Sequence, residues 1–461
     1  MSAGNAAFSE IPAGGQVAGA RLRAAGGRRC AMLEGMRSSL VIASLLAGSL
    51  PAAADAGRVY ISIGADALPT ATDVLRADRA VFTVDRVAPE AAVFGVEPGE
   101  LERLSEAMHT QHERCGGFMA HDSLAEALDA LEPAAPAKPM SYTIDRGDVV
   151  AAVLPQIHED EILATIRALS SRKNRYYRSE SGAAVSAWLR DRWRSFSTRS
   201  DVTVELFDQG YPQKSVILTI PGSTKPDEIV VIGGHLDSIA VGGVASDAPG
   251  ADDDASGIAT LDHVAKTLLA ADFRPERTIQ FMAYAAEEVG LRGSQAIVRD
   301  YKQRGVNVVG VLQLDMTNYQ GSDRDIWLID DFTSKAQNQF VAQLIERYTT
   351  ATWGSDRCGY ACSDHASWHR AGVPASMPHE TRSRDRNRQI HTARDTLEVS
   401  QNNASHAAKF ARLGAAYAIE LAKGQLGDAA PSAPAAPAAP WTLVGLLLSA
   451  AALIGLTRRV G

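Results

Sequence analysis

Between residues 141 and 425 the chain alternates two kinds of hydrophobic spacing. HEDEILATIRALSSRK (158–173) and SGAAVSAWLRDRWRSF (181–196) repeat apolar positions three and four apart, the mark of amphipathic helices. VTVELFD, SVILTIPG and EIVVIGGH read as strands from their β-branched content and spacing. TIQFMAYAA is an almost unbroken apolar run, as a strand covered on both faces should be. Further helices are predicted at about 256–271, 290–303, 333–350 and 405–423, with strands at VVGVLQLDM and DIWLID. Strands alternating with helices predict an α/β fold, a three-layer sandwich around a mostly parallel central sheet. Ligands of such sheets bind beyond the carboxyl ends of the strands.

The pattern changes outside this region. RVYISIG and AVFTVDRV read as strands, and PGELERLSEAMHTQHERCGG as a helix stopped by Gly116 and Gly117. A Pro/Ala linker, EPAAPAKP (132–139), follows. Residues 57–138 are therefore read as a small α+β propeptide, with a permanently attached accessory domain as the alternative. Upstream, MRSSLVIASLLAGSLPAAADA (36–56) has a basic start, an apolar run and a small-residue cleavage site, the layout of a secretory signal peptide. A buried helix is the weaker alternative, given Pro51 and the alanines. The Gly-, Ala- and Arg-rich residues before Met36 fit no role in a signal, so translation is expected to start at Met36 or Met32. At the other end, a stiff Pro/Ala linker (428–440) leads into WTLVGLLLSAAALIGL and Arg458-Arg459. This run is slightly short against the about 20 residues of a typical spanning helix. It resembles the C-terminal sorting tags of Gram-negative bacteria, although a packed terminal helix is possible. The expected organisation is 1–56 extension and signal, 57–138 propeptide, 139–427 catalytic domain, 428–440 linker and 441–461 transmembrane or sorting tail. The protein is then exported through the inner membrane and either secreted or tethered to the cell envelope.

Composition narrows the classes. Hydrophobic content of 46% and charged content of 22% suit a globular chain. A net charge of −8 with no long basic block argues against nucleic acid as a partner. Of the four cysteines, Cys30 precedes the signal and Cys115 stands alone. Cys358 and Cys362 in CGYAC can close a small disulfide in an oxidising compartment; in a reducing one they would read as a metal or redox pair.

The polar residues fall where the strands end. EIVVIGG runs into His235-Leu236-Asp237, and Asp252, Asp253 and Asp254 precede the next helix. TIQFMAYAA runs into Glu287-Glu288, VVGVLQL into Asp315, and His391 lies in a late polar loop. Each piece alone is commonplace: a satisfied histidine, a solvated helix start, a helix cap. Together they form a carboxylate cluster too costly to bury without cations. Carboxylates with imidazoles suit a borderline divalent ion, and the acids are too many for one tetrahedral site.

These stretches (VIGGHLDS, APGADDDASGIA, AAEEVGLRGS, QLDMTNY, CGYACSDHASW and IHTARDTL) resemble the M28 family of zinc metallopeptidases, most closely secreted bacterial leucyl aminopeptidases of the Aeromonas/Vibrio type. The resemblance covers about residues 141–425. It implies two Zn2+ ions held by His235, Asp253, Glu288, Asp315 and His391. Asp253 would bridge, with His235 and Asp315 on one ion and Glu288 and His391 on the other. Glu287 would be the general base for a zinc-bridging hydroxide, Asp237 would orient His235, and Tyr360 would steady the tetrahedral intermediate. The implied reaction removes the N-terminal residue from peptides or proteins with a free N-terminus. The implied enzyme is a monomer that meets the membrane only through its tail.

The expected pocket for the first side chain comprises Met316, Met377, His379 and Ile390. His379, Ser383 and Arg386 stand where this type of enzyme carries aromatic rings. A leucine preference is therefore open, and Arg382, Arg384, Arg386 and Arg388 could favour acidic or polar residues or form only a solvated loop. A glutaminyl cyclase-type acyl transferase on the same fold is the alternative activity, and a non-catalytic binding module would have lost ligands that are present here.

Overall fold

The computed structural model describes residues 57–427, apart from Asp78, Ala135, Ala137 and Lys138. The signal-like segment and the apolar tail lie outside the described residues. Among those described, no helix is long and apolar enough to cross a membrane.

Six strands build the central sheet. Their spatial order is Ala375–Ser376, Asn307–Gln313, Lys225–His235, Arg277–Tyr284, Ser215–Ile220 and Thr203–Phe207. The first four are mutually parallel. The last two pair antiparallel with their neighbours, so the parallel expectation holds for one part of the sheet. The loop 208–214 explains the edge: parallel pairing needs a crossover of roughly a dozen residues or more, and this loop is too short for one.

Alternate residues of each strand serve opposite layers. Val216, Leu218, Ile232, Ile279 and Phe281 pack against helices Glu159–Ser170, Glu180–Arg194, Ala255–Ala270 and Ala407–Ala422. The intervening Ile217, Val231, Met282 and Tyr284 pack against Arg292–Arg304 and the short helix His365–Arg370. Helices thus cover both faces, and the polar termini of the strands are left to converge at one edge. A smaller sheet of Trp353–Asp356, Ile326–Ile329 and Pro378–His379 stands beside that edge.

Residues 59–121, followed by a short helix, Leu124–Asp129, fold as a β-α-β-β-α-β unit. Its four antiparallel strands lie in the order Thr83–Val87, Ala91–Val96, Val59–Gly64 and Phe118–His121. Helices Leu68–Ala77 and Leu101–His112 pack on the sheet. The second helix ends at Glu113, which takes a left-handed backbone (φ 55°), ahead of the two glycines expected to stop it. The core of this unit is continuous with the rest of the protein: Leu104 and Met108 share a cluster with Ile239, Ala286 and Val289.

Candidate metal centre

The sheet delivers its polar residues as its topology requires. His235 is the last residue of its strand, and the adjacent parallel strand leads into Glu287 and Glu288 on one side. The other parallel neighbour leads into Asp315. The aspartate triplet precedes helix Ala255–Ala270, and the Asp253–Asp254 peptide is cis. Asp254 is a structural residue. Its carboxylate accepts the amides of Gly257 (2.9 Å), Met316 (3.1 Å) and His235 (2.9 Å), which ties the helix start to two strand ends. A Cβ on Gly257 would lie 2.3 Å from the Leu314 carbonyl oxygen, so glycine is needed for that close approach. Ala286, Met316 and His391 all have φ between 56° and 59°, a costly region for non-glycine residues that often marks functional sites.

Asp253 lies between two histidines. Its Oδ1 is 2.9 Å from His235 Nε2, and its Oδ2 is 3.3 Å from His391 Nε2. His235 Nε2 is also 3.6 Å from Asp315 Oδ1, and His391 Nε2 is 2.7 Å from Glu288 Oε2. The five residues therefore form two half-sites joined by one carboxylate, and all are buried. Asp253 Oδ2, His391 Nε2 and both Glu288 oxygens make no well-aligned hydrogen bond, although His391 Nε2 lies close to two of these oxygens. Buried polar atoms without partners are costly, and a divalent ion would satisfy them. The donor set thus fits a metal.

The electrostatics agree. Burial opposes charge on His235, but Asp315, Glu287, Asp237 and Asp253 outweigh it and hold its pKa well above the ordinary value. Burial pushes Glu288 up to about 7, with His391 opposing and Asp253 adding to the rise. Burial also pushes Glu287 well up, against His235 and with Glu288 and Asp315. Without a cation, the cluster must hold protons; a cation would replace them.

Supporting residues fix the loops. Asp237 accepts the amides of Glu287 (3.0 Å) and Glu288 (3.2 Å), and its Oδ1 is 3.6 Å from His235 Nδ1. Ser363 Oγ donates to Asp315 Oδ2 at 2.5 Å. Asp395 accepts the amides of Asp252 and Asp253. Arg175, fully buried, donates to the carbonyls of Leu236, Pro249, Gly250 and Asp253. Glu380 accepts the Tyr319 amide; burial and then Asp252 push its pKa well up. Sequence reasoning missed the roles of Ser363, Asp395, Arg175 and Glu380. Asp395 and Ser363 lie within stretches that carried the resemblance, but nothing near Arg175 or Glu380 signals a role.

A cleft opens beside the cluster. Asp315, Met316, Ile329, Tyr360, Met377, His379, Ser383 and Arg386 line it, as does the Cys358–Cys362 disulfide. His112 to Cys115 of the N-terminal unit form the remaining wall. Ile390 departs from expectation: it is fully buried beside His391 and is not part of this lining. Tyr360 reaches the cleft, and its hydroxyl accepts the Cys115 amide at 2.9 Å. Arg386 and Arg388 both pair with Glu113.

The sequence pattern of Peptidase family M28 matches residues 215–415. The chain is 36% identical over 293 residues to leucine aminopeptidase 1 of Coccidioides posadasii, covering 60% of this chain and 74% of that protein. It is 32% identical over 357 residues to leucine aminopeptidase 1 of Pyrenophora teres f. teres, covering 73% and 90%. Among solved structures, LapB of Legionella pneumophila is similar with a TM-score of 0.70 and 29% identity, over 80% of this chain and all of that one. The LapA aminopeptidase of the same organism gives 0.69 and 28%, over 80% and 99%. This family membership supports zinc as the metal. The chain belongs to peptidase family M28 and is a metallo-aminopeptidase.

Proposed function

We propose that the chain is a two-zinc aminopeptidase that releases the first residue of peptides with a free N-terminus. The observation that carries this reading is Asp253, which offers one oxygen to each of two histidines that have further carboxylates of their own. His235 and Asp315 would hold one ion, His391 and Glu288 the other, and Asp253 both. Bound there, the pair supplies Lewis acidity for the scissile carbonyl and for the attacking water.

The protein groups do the rest. Glu287 Oε2 is buried without a partner, so it is free to take the proton of the attacking water and pass it to the leaving amine. Asp237 holds Glu287 in place through its amide and orients His235. The Tyr360 hydroxyl accepts from the Cys115 amide, which leaves its own O–H to donate to the oxygen that gains charge. The surrounding carboxylates favour a free α-ammonium at the same spot, which makes the enzyme an exopeptidase. Met316, Ile329 and Met377 give the cleft an apolar base suited to an aliphatic first side chain, with His379 and Arg386 at its wall. Residues 57–138 act as a propeptide, and the signal-like segment together with the disulfide supports export.

The test is hydrolysis of Leu, Ala, Arg, Glu and pyroglutamyl p-nitroanilides by the chain cleaved within 132–139, before and after chelation and zinc return. Zinc-restored release from free-amine substrates, with Leu preferred, is expected. Failure on all of them despite bound metal would overturn the proposal and direct attention to cyclisation of N-terminal glutamine.

A further inference from the structure

Cys115 carries a free thiol. The other described cysteines, Cys358 and Cys362, are bonded to each other. The Cys115 sulfur, an Asp253 oxygen and a His391 ring nitrogen all lie within 4.8 Å of one another. Asp253 Oδ2 is buried there without a hydrogen-bond partner, and the buried His391 Nε2 also meets Glu288 Oε2 at 2.7 Å. A thiolate joining an imidazole and carboxylates makes a donor set that zinc accepts.

The backbone around Cys115 is held in this place from several directions. Its amide donates to the Tyr360 hydroxyl, and the Arg114 guanidinium sits 5.2 Å from the centre of the Tyr360 ring. Glu113 pairs with Arg386 at 3.4 Å and also with Arg388. One helix turn before Glu113, the His109 ring lies 4.5 Å from the ring of His391, and a further turn back Ser105 Oγ donates to the Glu288 carbonyl at 2.8 Å. Gly116 and Gly117 have positive φ (50° and 79°), which turns the chain sharply away into strand Phe118–His121. These contacts reach the second half-site and the cleft together.

We propose that Cys115 is an additional ligand of the metal held by Asp253, Glu288 and His391, and that this ligation keeps the enzyme latent while the N-terminal unit is attached. The inference rests on the metal reading of the site given above. Ligation is a balanced exchange: the thiol releases its proton to solvent and the sulfur takes a coordination position that a water would fill. On removal of the unit the sulfur leaves, regains a proton, and water returns. The same departure releases the Tyr360 hydroxyl from the Cys115 amide and opens the wall of the cleft.

The experiment uses the full chain loaded with cobalt(II), with cobalt content, near-ultraviolet absorption and iodoacetamide labelling of Cys115 measured together. The expected result is a sulfur-to-cobalt charge-transfer band that disappears in Cys115→Ser while cobalt remains bound. Labelling of Cys115 is expected to be suppressed by metal and restored by chelation. Bound cobalt with no such band, and labelling unchanged by chelation, would overturn the proposal while leaving the metal site intact. Failure to bind cobalt at all would overturn the metal reading itself, and the inference with it. Should Cys115→Ser not fold, labelling of the unaltered chain with and without metal decides the matter.

Discussion

Replacing Asp237 separates two roles that its position combines. The carboxylate accepts the buried amides of Glu287 and Glu288 at 3.0 and 3.2 Å and faces His235 Nδ1. Asp237→Ala strands both amides, at about 1–3 kcal/mol each, so a loss of about 2–6 kcal/mol in stability is expected. Asp237→Asn keeps one acceptor oxygen and most of the shape, so roughly half of that is expected. It also removes the anionic partner of His235, a kind of support worth about 10–100-fold in metal affinity or activity. The assays are thermal unfolding with and without zinc, competitive zinc titration, and kcat on Leu-p-nitroanilide. The expected pattern for Asp237→Asn is a modest drop in Tm with a 10–100-fold loss in zinc affinity or kcat. A variant with the lowered Tm but unchanged zinc affinity and kcat would refute the orienting role and leave Asp237 as a brace for the 287–288 turn.

Three further outcomes are expected. Glu287→Gln should lower kcat by about 10²–10⁴-fold while zinc content, measured by atomic absorption, stays unchanged; loss of zinc would make Glu287 a ligand. Arg175→Lys should fail to rescue the stability lost in Arg175→Met, read as Tm, because one ammonium cannot reach the four carbonyls that the guanidinium serves. His121 is buried, bonded to Ser62, and burial followed by Arg370 and Arg299 lowers its pKa to about 3. Its folded value lies below the ordinary 6.5, so the unfolded form takes the proton first. The contribution is complete above about pH 6.5 and is lost as pH falls toward 3, up to about 5 kcal/mol. His121→Gln should flatten the fall in Tm across that window, and an unaltered slope would contradict the assignment.

Most of the catalytic region was legible because its elements have strong periodicity. The buried run 278–286 and the amphipathic helices reappear as Arg277–Tyr284, Glu159–Ser170 and Glu180–Arg194. Phe118–His121 escaped because it has only four residues, and Ala91–Val96 because it has no polar alternation. The candidate ligands were visible because each directly follows a strand or lies in a polar loop. What could not be read were contacts between distant segments. Arg175 resembles any surface arginine until four loop carbonyls close around it. Cys115 stood alone in the sequence; only the fold of the N-terminal unit brings it to Asp253 and His391. Ile390 reads as a pocket residue because it keeps an apolar character in the stretch 377–391; it is fully buried and is not among the residues that line the cleft.

The central claim is a site that binds two ions and needs both. The most direct measurement loads metal-free protein, cleaved within 132–139, with increasing zinc and follows bound zinc and Leu-p-nitroanilide hydrolysis in the same samples. Two zinc ions per chain at full activity are expected, with Asp253→Asn losing both binding and activity. Full activity with a single ion bound, or without any, would contradict the account.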